Sequence, residues 1–131
     1  MDKETRAIAA YISLIADAVT LQDDEKAQLQ LPGVSFETLP ALKIAKLAAS
    51  RNYTQDYHGL GSLMISFSRN IADQCNERLI ACRVLTVDAD IEYDKNLPGF
   101  YEKNGFTALH SKKYTKRTRT LPMWTDIYPD Q

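Results

Sequence analysis

Apolar residues recur along the chain at strand-like and helix-like spacings in turn. Over residues 7–20 (AIAAYISLIADAVT), Ile8, Ile12 and Leu14 fall on one parity and Tyr11 and Ile15 on the other. Apolar residues on both parities describe a strand covered on two sides, although the alanine content also allows a helix. Residues 21–31 (LQDDEKAQLQL) read as a short helical turn capped by Asp23 or Asp24 and stopped by Pro32-Gly33. The run 38–50 (TLPALKIAKLAAS) is a second strand, with Pro40 at its entrance, where a missing N–H costs least. After a polar, tyrosine-rich turn over 51–58, a helix runs from Gly59 or Leu60 to about Asn76. Its predicted apolar face carries Leu63, Met64, Phe67, Ile71 and Cys75.

The near-continuous apolar, β-branched run 79–88 (LIACRVLTVD) reads as a central strand. An irregular acidic connection over 90–96 follows. Pro98 suits the first turn of a short helix over 98–104, with Gly105 as its C-cap. Residues 106–110 and 121–128 pair as closing strands around a basic segment. This order gives an α/β fold, a mixed β-sheet with two helices packed on it. The strand at 43–50 splays from the one at 81–88, and ligands bind in such crevices of open sheets.

A chain of 131 residues makes one domain over 1–131, with 44% apolar and 25% charged residues, the proportions of a globular protein. The formal net charge of −1 exerts no global pull on nucleic acid or anionic membrane, so a polyanion site must be local. No apolar run is long enough to cross a bilayer. Cys75 and Cys82 fit reduced thiols of a cytoplasmic protein, with packing as their role. No metal-ligand spacing stands out.

Candidate chemistry begins at His58-Gly59-Leu60-Gly61-Ser62, where a glycine-rich turn joins a strand to a helix. The first amides of a helix lack intrahelical partners and carry about half a positive charge from the macrodipole. Glycines let the backbone approach a phosphate closely. The turn reads either as a tight connection or as the holder of a cofactor pyrophosphate. It is not a P-loop, because no Gly-Lys-Ser/Thr follows, and it is not a complete G-x-G-x-x-G fingerprint.

Phe100-Tyr101-Glu102-Lys103-Asn104-Gly105-Phe106, following a Val-Asp-Ala strand, resembles the penultimate helix of the Gcn5-related N-acetyltransferase (GNAT) family. Leu47-Ala48-Ala49 and Gly59-Leu60-Gly61-Ser62 look like that family's L-A-V strand end and its Q/R-x-x-G-x-G/A pyrophosphate loop. Residues 10–14 resemble its third strand and 121–124 its last, and the wording is closest to GNAT-type toxins. The resemblance implies a GNAT-like fold truncated at the N-terminus. The strand, two helices and further strand that open the family's pattern are missing ahead of residues 7–20. Two further departures stand out. Asp56 falls where the family has glutamine or arginine, so it must point away, with Arg51 or His58 compensating. The connection before Pro98 is also longer than usual.

The resemblance implies acetyl-CoA as cofactor and transfer of an acetyl group to a primary amine. Backbone amides at Leu47, Ala48 and Ala49 would hold the acetyl and pantetheine end, and those of His58, Gly59, Leu60, Gly61 and Ser62 the pyrophosphate. Tyr101 would be the general acid. A phenol of pKa about 10 can protonate a thiolate of pKa about 8.5 without a steep uphill step. The alternative for Tyr101 is a core tyrosine, and Phe100 reads as packing. No general base stands out. Lys43 and Lys46 occupy a strand where some relatives carry an acid, and Asp88 and Glu37 are candidate bases that read more readily as structural. His58 reads as a phosphate neighbour or bystander, and His110, at a strand end, reads as inert. An α-amine or aminoacyl ester, already near pKa 7.7–8.0, would need little help. Lys112, Lys113, Lys116, Arg117 and Arg119 form either a solvated hairpin loop or a phosphate-contacting arm for tRNA. Three rival functions follow: an N-acetyltransferase, a non-catalytic acyl-CoA-binding or interaction module, and a tRNA-acetylating toxin. Loss of the usual neighbour beside residues 7–20 would leave a bare strand edge and favour a homodimer.

Overall fold

A computed structural model describes residues 1, 3–4, 6–29, 38–51, 59–77, 82–111 and 119–128. Its centre is a five-stranded sheet in the order β1-β2-β3-β5-β4. The strands are β1 (Ala10–Thr20), β2 (Thr38–Ala49), β3 (Val84–Asp90), β4 (Thr107–Ala108) and β5 (Thr120–Asp126). The helices are α1 (Asp23–Gln28), α2 (Leu60–Glu77) and α3 (Leu97–Lys103). Within residues 7–20 the chain forms a strand rather than a helix, over Ala10–Thr20. β1 lies at the sheet edge, antiparallel to β2.

One irregularity in β2 shapes everything near the cleft. Ser13 faces Lys46 and Leu14 faces Ile44, so Ala45 has no partner in β1. An extra residue of this kind bends its strand and shifts the side-chain alternation by one. Leu42 and Ile44 point toward one face before it. Beyond it Leu47, opposite Ile12, packs against the same core as Ile44. The parallel ladder to β3 runs only from Ala41↔Val84 to Ile44↔Val87 and stops at the bulge. β2 continues to Ala49 and β3 to Asp90 without pairing to each other, which is the splay expected from the sequence.

The core under α2 and α3 gathers Ile44, Ile65, Leu85, Val87, Tyr101, Phe106 and Met123. The helix face expected to pack is not the one that does. α2 buries Ile65, Ser68 and Ala72, while Leu63, Phe67 and Ile71 remain 49%, 48% and 40% exposed. Of the residues expected to pack, Met64 is half-buried and Cys75 packs against the cluster of Ala72, Cys82 and Ile127, so the buried stripe is rotated from the predicted face rather than unrelated to it. The Ser68 hydroxyl is satisfied inside the helix by the Met64 carbonyl (2.9 Å).

α3 starts one residue before the predicted helix, with Pro98 in its first turn. Its end is closed by Gly105 at φ +90°, the left-handed conformation that a helix stop requires. Arg69 on α2 donates to the Asn104 carbonyl (2.8 Å), the Asp126 carbonyl (3.0 Å) and the Thr125 hydroxyl (3.2 Å). These bonds tie α2 to the end of α3 and to β5.

The opposite sheet face is covered by α1, whose flanking Leu21 and Leu29 pack with Val19, Leu39, Ala41, Val84 and Trp124. The cap of α1 is Gln22, not an aspartate; Asp23, Asp24 and Glu25 fill the first turn instead. The strand expected over 106–110 shrinks to Thr107–Ala108, after which Leu109–Ser111 form a 3₁₀ turn. The strand predicted from residue 79 begins at Val84, and 78–81 lie outside the described residues. Cys75 and Cys82 are free thiols, and Cys82 packs with Ala72 and Ile127. No helix among the described residues is long and apolar enough to cross a membrane.

Candidate functional site

A cleft of about 330 Å³ opens where β2 and β3 part. Leu47, Ala48 and Ala49 form one wall, and Gly61 in the first turn of α2 adjoins them. Asp94, Asn96, Leu97, Phe100 and Tyr101 complete the lining. Because the ladder to β3 ends at Ile44, the β2 main chain beyond it presents polar groups on that side with no β3 partner. Unpaired donors at a strand end can bind a carbonyl or an amide.

The turn into α2 is built around its two glycines. Gly59 takes φ +82°, and its carbonyl accepts the Leu63 N–H (2.9 Å), so the amides of Leu60, Gly61 and Ser62 belong to the first turn and lack intrahelical acceptors. A Cβ placed on Gly61 would come within 2.9 Å of Phe100 Cζ. The bare main chain at Gly61 is therefore what allows α3 to close over the start of α2.

Tyr101 is only 6% exposed and still lines the cleft. Its ring meets Phe100 and Phe106 edge-on, with centroids 5.1 and 5.5 Å away. Burial pushes its hydroxyl pKa above the usual tyrosine value, so the group stays a protonated donor at neutral pH. Among the described residues that hydroxyl has no hydrogen-bond partner.

Of the residues singled out in the sequence, Leu47, Ala48, Ala49, Gly61 and Tyr101 line one cleft. Gly59, Leu60 and Ser62 stand beside Gly61 in the turn without lining the cleft. His58, Asp56 and Glu37 lie outside the described residues, as do Lys112, Lys113, Lys116 and Arg117. Arg119 is exposed and pairs loosely with Glu92 at 4.0 Å. Phe100, expected only to pack, lines the cleft as well. Asp94, Asn96 and Leu97 were not singled out by the sequence. The Asp94 carboxylate, which would repel an anion, instead accepts the Asn96 N–H at 2.8 Å.

A second cleft of about 300 Å³ lies on the sheet face that α1 partly covers. We call it the rear cleft and the first one the front cleft. Lys43 Nζ sits 2.8 Å from Asp88 Oδ2 and 3.9 Å from Asp17 Oδ2, and the Thr86 hydroxyl donates to Asp17 Oδ2 at 3.0 Å. The Asp88 hydrogen bond raises the Lys43 pKa and holds it as an ammonium. Asp88 follows Val87, the last β3 residue paired with β2, so this ion pair stands at the root of the splay. His110 lines the same cleft. It does not sit at a strand end, as expected, but within the 3₁₀ turn at φ +56°, held by Glu25.

No protein-family profile matches the chain, and no curated protein does. Solved structures do match. A bacterial toxin aligns with a TM-score of 0.69 at 17% identity, over 91% of this chain and 60% of its own. AtaT in complex with acetyl-methionyl-tRNAfMet aligns with a TM-score of 0.68 at 16% identity, over 92% and 65%. AtaTR bound to acetyl-CoA aligns with a TM-score of 0.60 at 16% identity, over 91% and 62%. The chain spans less than two thirds of the length of each of these proteins. With the splayed β2–β3 pair, the glycine turn into α2 and the aromatic helix α3 on one sheet, this chain has a GNAT-like fold.

Proposed function

We propose that this protein is an acetyl-CoA-dependent N-acetyltransferase that acylates a primary amine. The observation carrying this reading is the front cleft, in which a strand end open on its β3 side, the bare main chain of Gly61 and a buried phenol meet. These residues suit acetyl-CoA. The amides of Leu47, Ala48 and Ala49 would hold the acyl and pantetheine end, and those of Gly59, Leu60, Gly61 and Ser62 the diphosphate. When bound, acetyl-CoA supplies an electrophilic thioester carbonyl and a thiol leaving group. The strand amides would serve as pre-aimed donors to negative charge on the carbonyl oxygen. Tyr101 would supply the proton that the leaving sulfur needs, and burial keeps that proton on the phenol at neutral pH.

Calorimetry with coenzyme A and thiol release with a panel of amines test the reading. Binding with turnover supports it. Binding without turnover on any amine favours a non-catalytic acyl-CoA module, and no heat with coenzyme A removes the cofactor and the reading with it.

An aminoacyl-tRNA acceptor is the finer version of this proposal. It is supported by the likeness to AtaT, whose solved complex contains acetyl-methionyl-tRNAfMet, and by the five basic residues between Lys112 and Arg119. Phosphate contacts from these residues would make tRNA binding fall steeply with salt. Replacing Lys112, Lys113, Lys116 and Arg117 by glutamine should flatten that dependence, whereas salt-independent binding counts against the tRNA.

We also infer a homodimer through β1. This edge strand holds no lysine or proline, and its one charge, Asp17, is engaged by Thr86 and Lys43. A two-fold antiparallel pair centred on Ile15 sets Ile15 against its own copy, Tyr11 against Val19 and Ser13 against Asp17, with no like charges opposed. That pairing covers Tyr11 and Ile15, both exposed in the isolated chain. Sedimentation should show a dimer that Ile15→Lys splits, and a monomeric wild type refutes the pairing.

A further inference from the structure

We propose that Glu25 and His110 form a proton-accepting dyad on the rear cleft, and that His110 Nε2 takes the proton from the acceptor's ammonium group. This rests on the acetyl-transfer reading and supplies the base that reading lacks.

Glu25, in the first turn of α1, has a side chain only 4% exposed. It spends its carboxylate on three donors. Oε1 accepts the Gln22 N–H at 3.0 Å and lies 2.8 Å from His110 Nδ1, and Oε2 accepts the His110 N–H at 2.9 Å. Burial opposes its ionisation, yet the hydrogen bonds from Gln22 and His110 outweigh burial and hold its pKa below the usual glutamate value. An ionised carboxylate only accepts, so Nδ1 carries the hydrogen in this contact, and in the neutral ring the lone pair is on Nε2. Nε2 has no partner among the described residues, and the ring is 26% exposed in the cleft that reaches the root of the splay. The same double contact holds His110 in its left-handed backbone conformation, which a non-glycine residue adopts only under constraint.

The other titratable groups in this cleft are already engaged. Lys43 is held as a cation by Asp88, and Asp17 and Asp88 both face Lys43. His110 is the remaining group with a free lone pair on nitrogen. An ammonium entering between Asp88 and His110 gives one proton to Nε2, and the freed nitrogen lone pair attacks the thioester carbonyl. The C–N bond forms as the C–S bond breaks, and the electron pair leaves on sulfur. Tyr101 protonates the sulfur from the other face and is restored by the second proton leaving the nitrogen. His110 returns its proton to water.

The test uses the full chain in three arms. Turnover of His110→Ala should fall on the order of 10²–10⁴-fold, the usual contribution of a general base, with coenzyme A affinity unchanged by calorimetry. Added imidazole should restore turnover in proportion to its concentration, which a merely structural role would not allow. In the wild type, whose only other histidine is His58, nitrogen NMR should show the Nδ1–H tautomer at His110, so the proposal stays testable even if the variant misfolds. Full turnover in His110→Ala, a loss that imidazole does not rescue in a folded variant, or an Nε2–H tautomer each overturns the dyad alone. Absence of wild-type turnover with every amine overturns the dyad and the acetyl-transfer reading together.

Discussion

The front and rear clefts lie on opposite faces of one splayed strand pair and are built from different materials. The front cleft is made mainly of main chain and neutral side chains, Leu47 to Ala49, Gly61, Phe100 and Tyr101, with Asp94 the one charged residue in its lining among the described residues. The rear cleft is made of charge and hydrogen bonds: Asp17, Lys43, Asp88, and the Glu25–His110 pair behind them. A site made of main chain must be packed correctly before it works, so substitutions there disturb fold and function together. The half-exposed charges Asp17, Lys43 and Asp88 can lose a member at small cost to the fold, whereas the buried Glu25 cannot. The contrast gives each cleft its own expected response to mutation.

The largest effect belongs to Tyr101→Phe. The ring contacts with Phe100 and Phe106 survive, and only the hydroxyl is lost. Turnover should drop on the order of 10²–10⁴-fold, with the melting temperature and coenzyme A affinity held. Unchanged turnover in a thiol-release assay would leave Tyr101 as a core residue and the front cleft without its acid.

Next comes Glu25→Gln, which keeps the shape and removes the charge. Hydrogen bonds to a charged group are worth about 1.5–3 kcal/mol, and denaturant midpoints should register a loss of that order at neutral pH. Because the folded-state pKa of Glu25 is depressed, its contribution is present above the ordinary value of 4.5 and is lost as pH falls through the folded value. The gap between wild type and variant should therefore close in acid. A gap that stays constant would mean that Glu25 holds α1 to the 3₁₀ turn by shape rather than charge.

Gly61→Val follows. The added Cβ would stand 2.9 Å from Phe100 Cζ, and the ring can yield only by moving into the front cleft. Overpacking of this kind costs about 1–3 kcal/mol, and coenzyme A affinity should fall with stability. If stability falls and affinity holds, the helix turn is a packing device and the cofactor lies elsewhere.

The two clefts also differ in how far they could be read from the sequence. The front cleft needs two glycines at set spacing, an apolar strand end and an aromatic pair before Gly105, all local signals that survive in a linear string. The rear cleft draws single polar residues from β1, β2, β3, α1 and the 3₁₀ turn. Asp17, Glu25, Lys43, Asp88 and His110 carry no spacing that links them, and only the register of the strands brings them together. His110 looked inert because the strand expected over 106–110 would have left it at an edge; the 3₁₀ turn rotates it onto Glu25. The order of elements and the splay were legible because alternation and turn residues fix them. The packed face of α2 was not, because bulk argued for Leu63, Phe67 and Ile71 while the stripe that packs is Ile65, Ser68 and Ala72.

The smallest effect should come from Lys43→Met. Its ammonium bridges Asp88 and Asp17, yet the Lys43 side chain is about a quarter exposed and that of Asp88 closer to half. Pairs this open are worth about 0–1 kcal/mol after solvent screening, and methionine keeps the apolar stem. The raised Lys43 pKa makes its contribution complete below the ordinary lysine value of 10.5, so neutral pH already shows all of it. High salt should erase most of the difference, since screening shortens to about 3 Å at 1 M. Two carboxylates released from their cation should then attract a positively charged amine more strongly, which calorimetry with a simple polyamine can read. A cost of several kcal/mol, insensitive to salt, would show that the rear charges are built into the fold as firmly as the front packing, and the distinction between the two faces would fail.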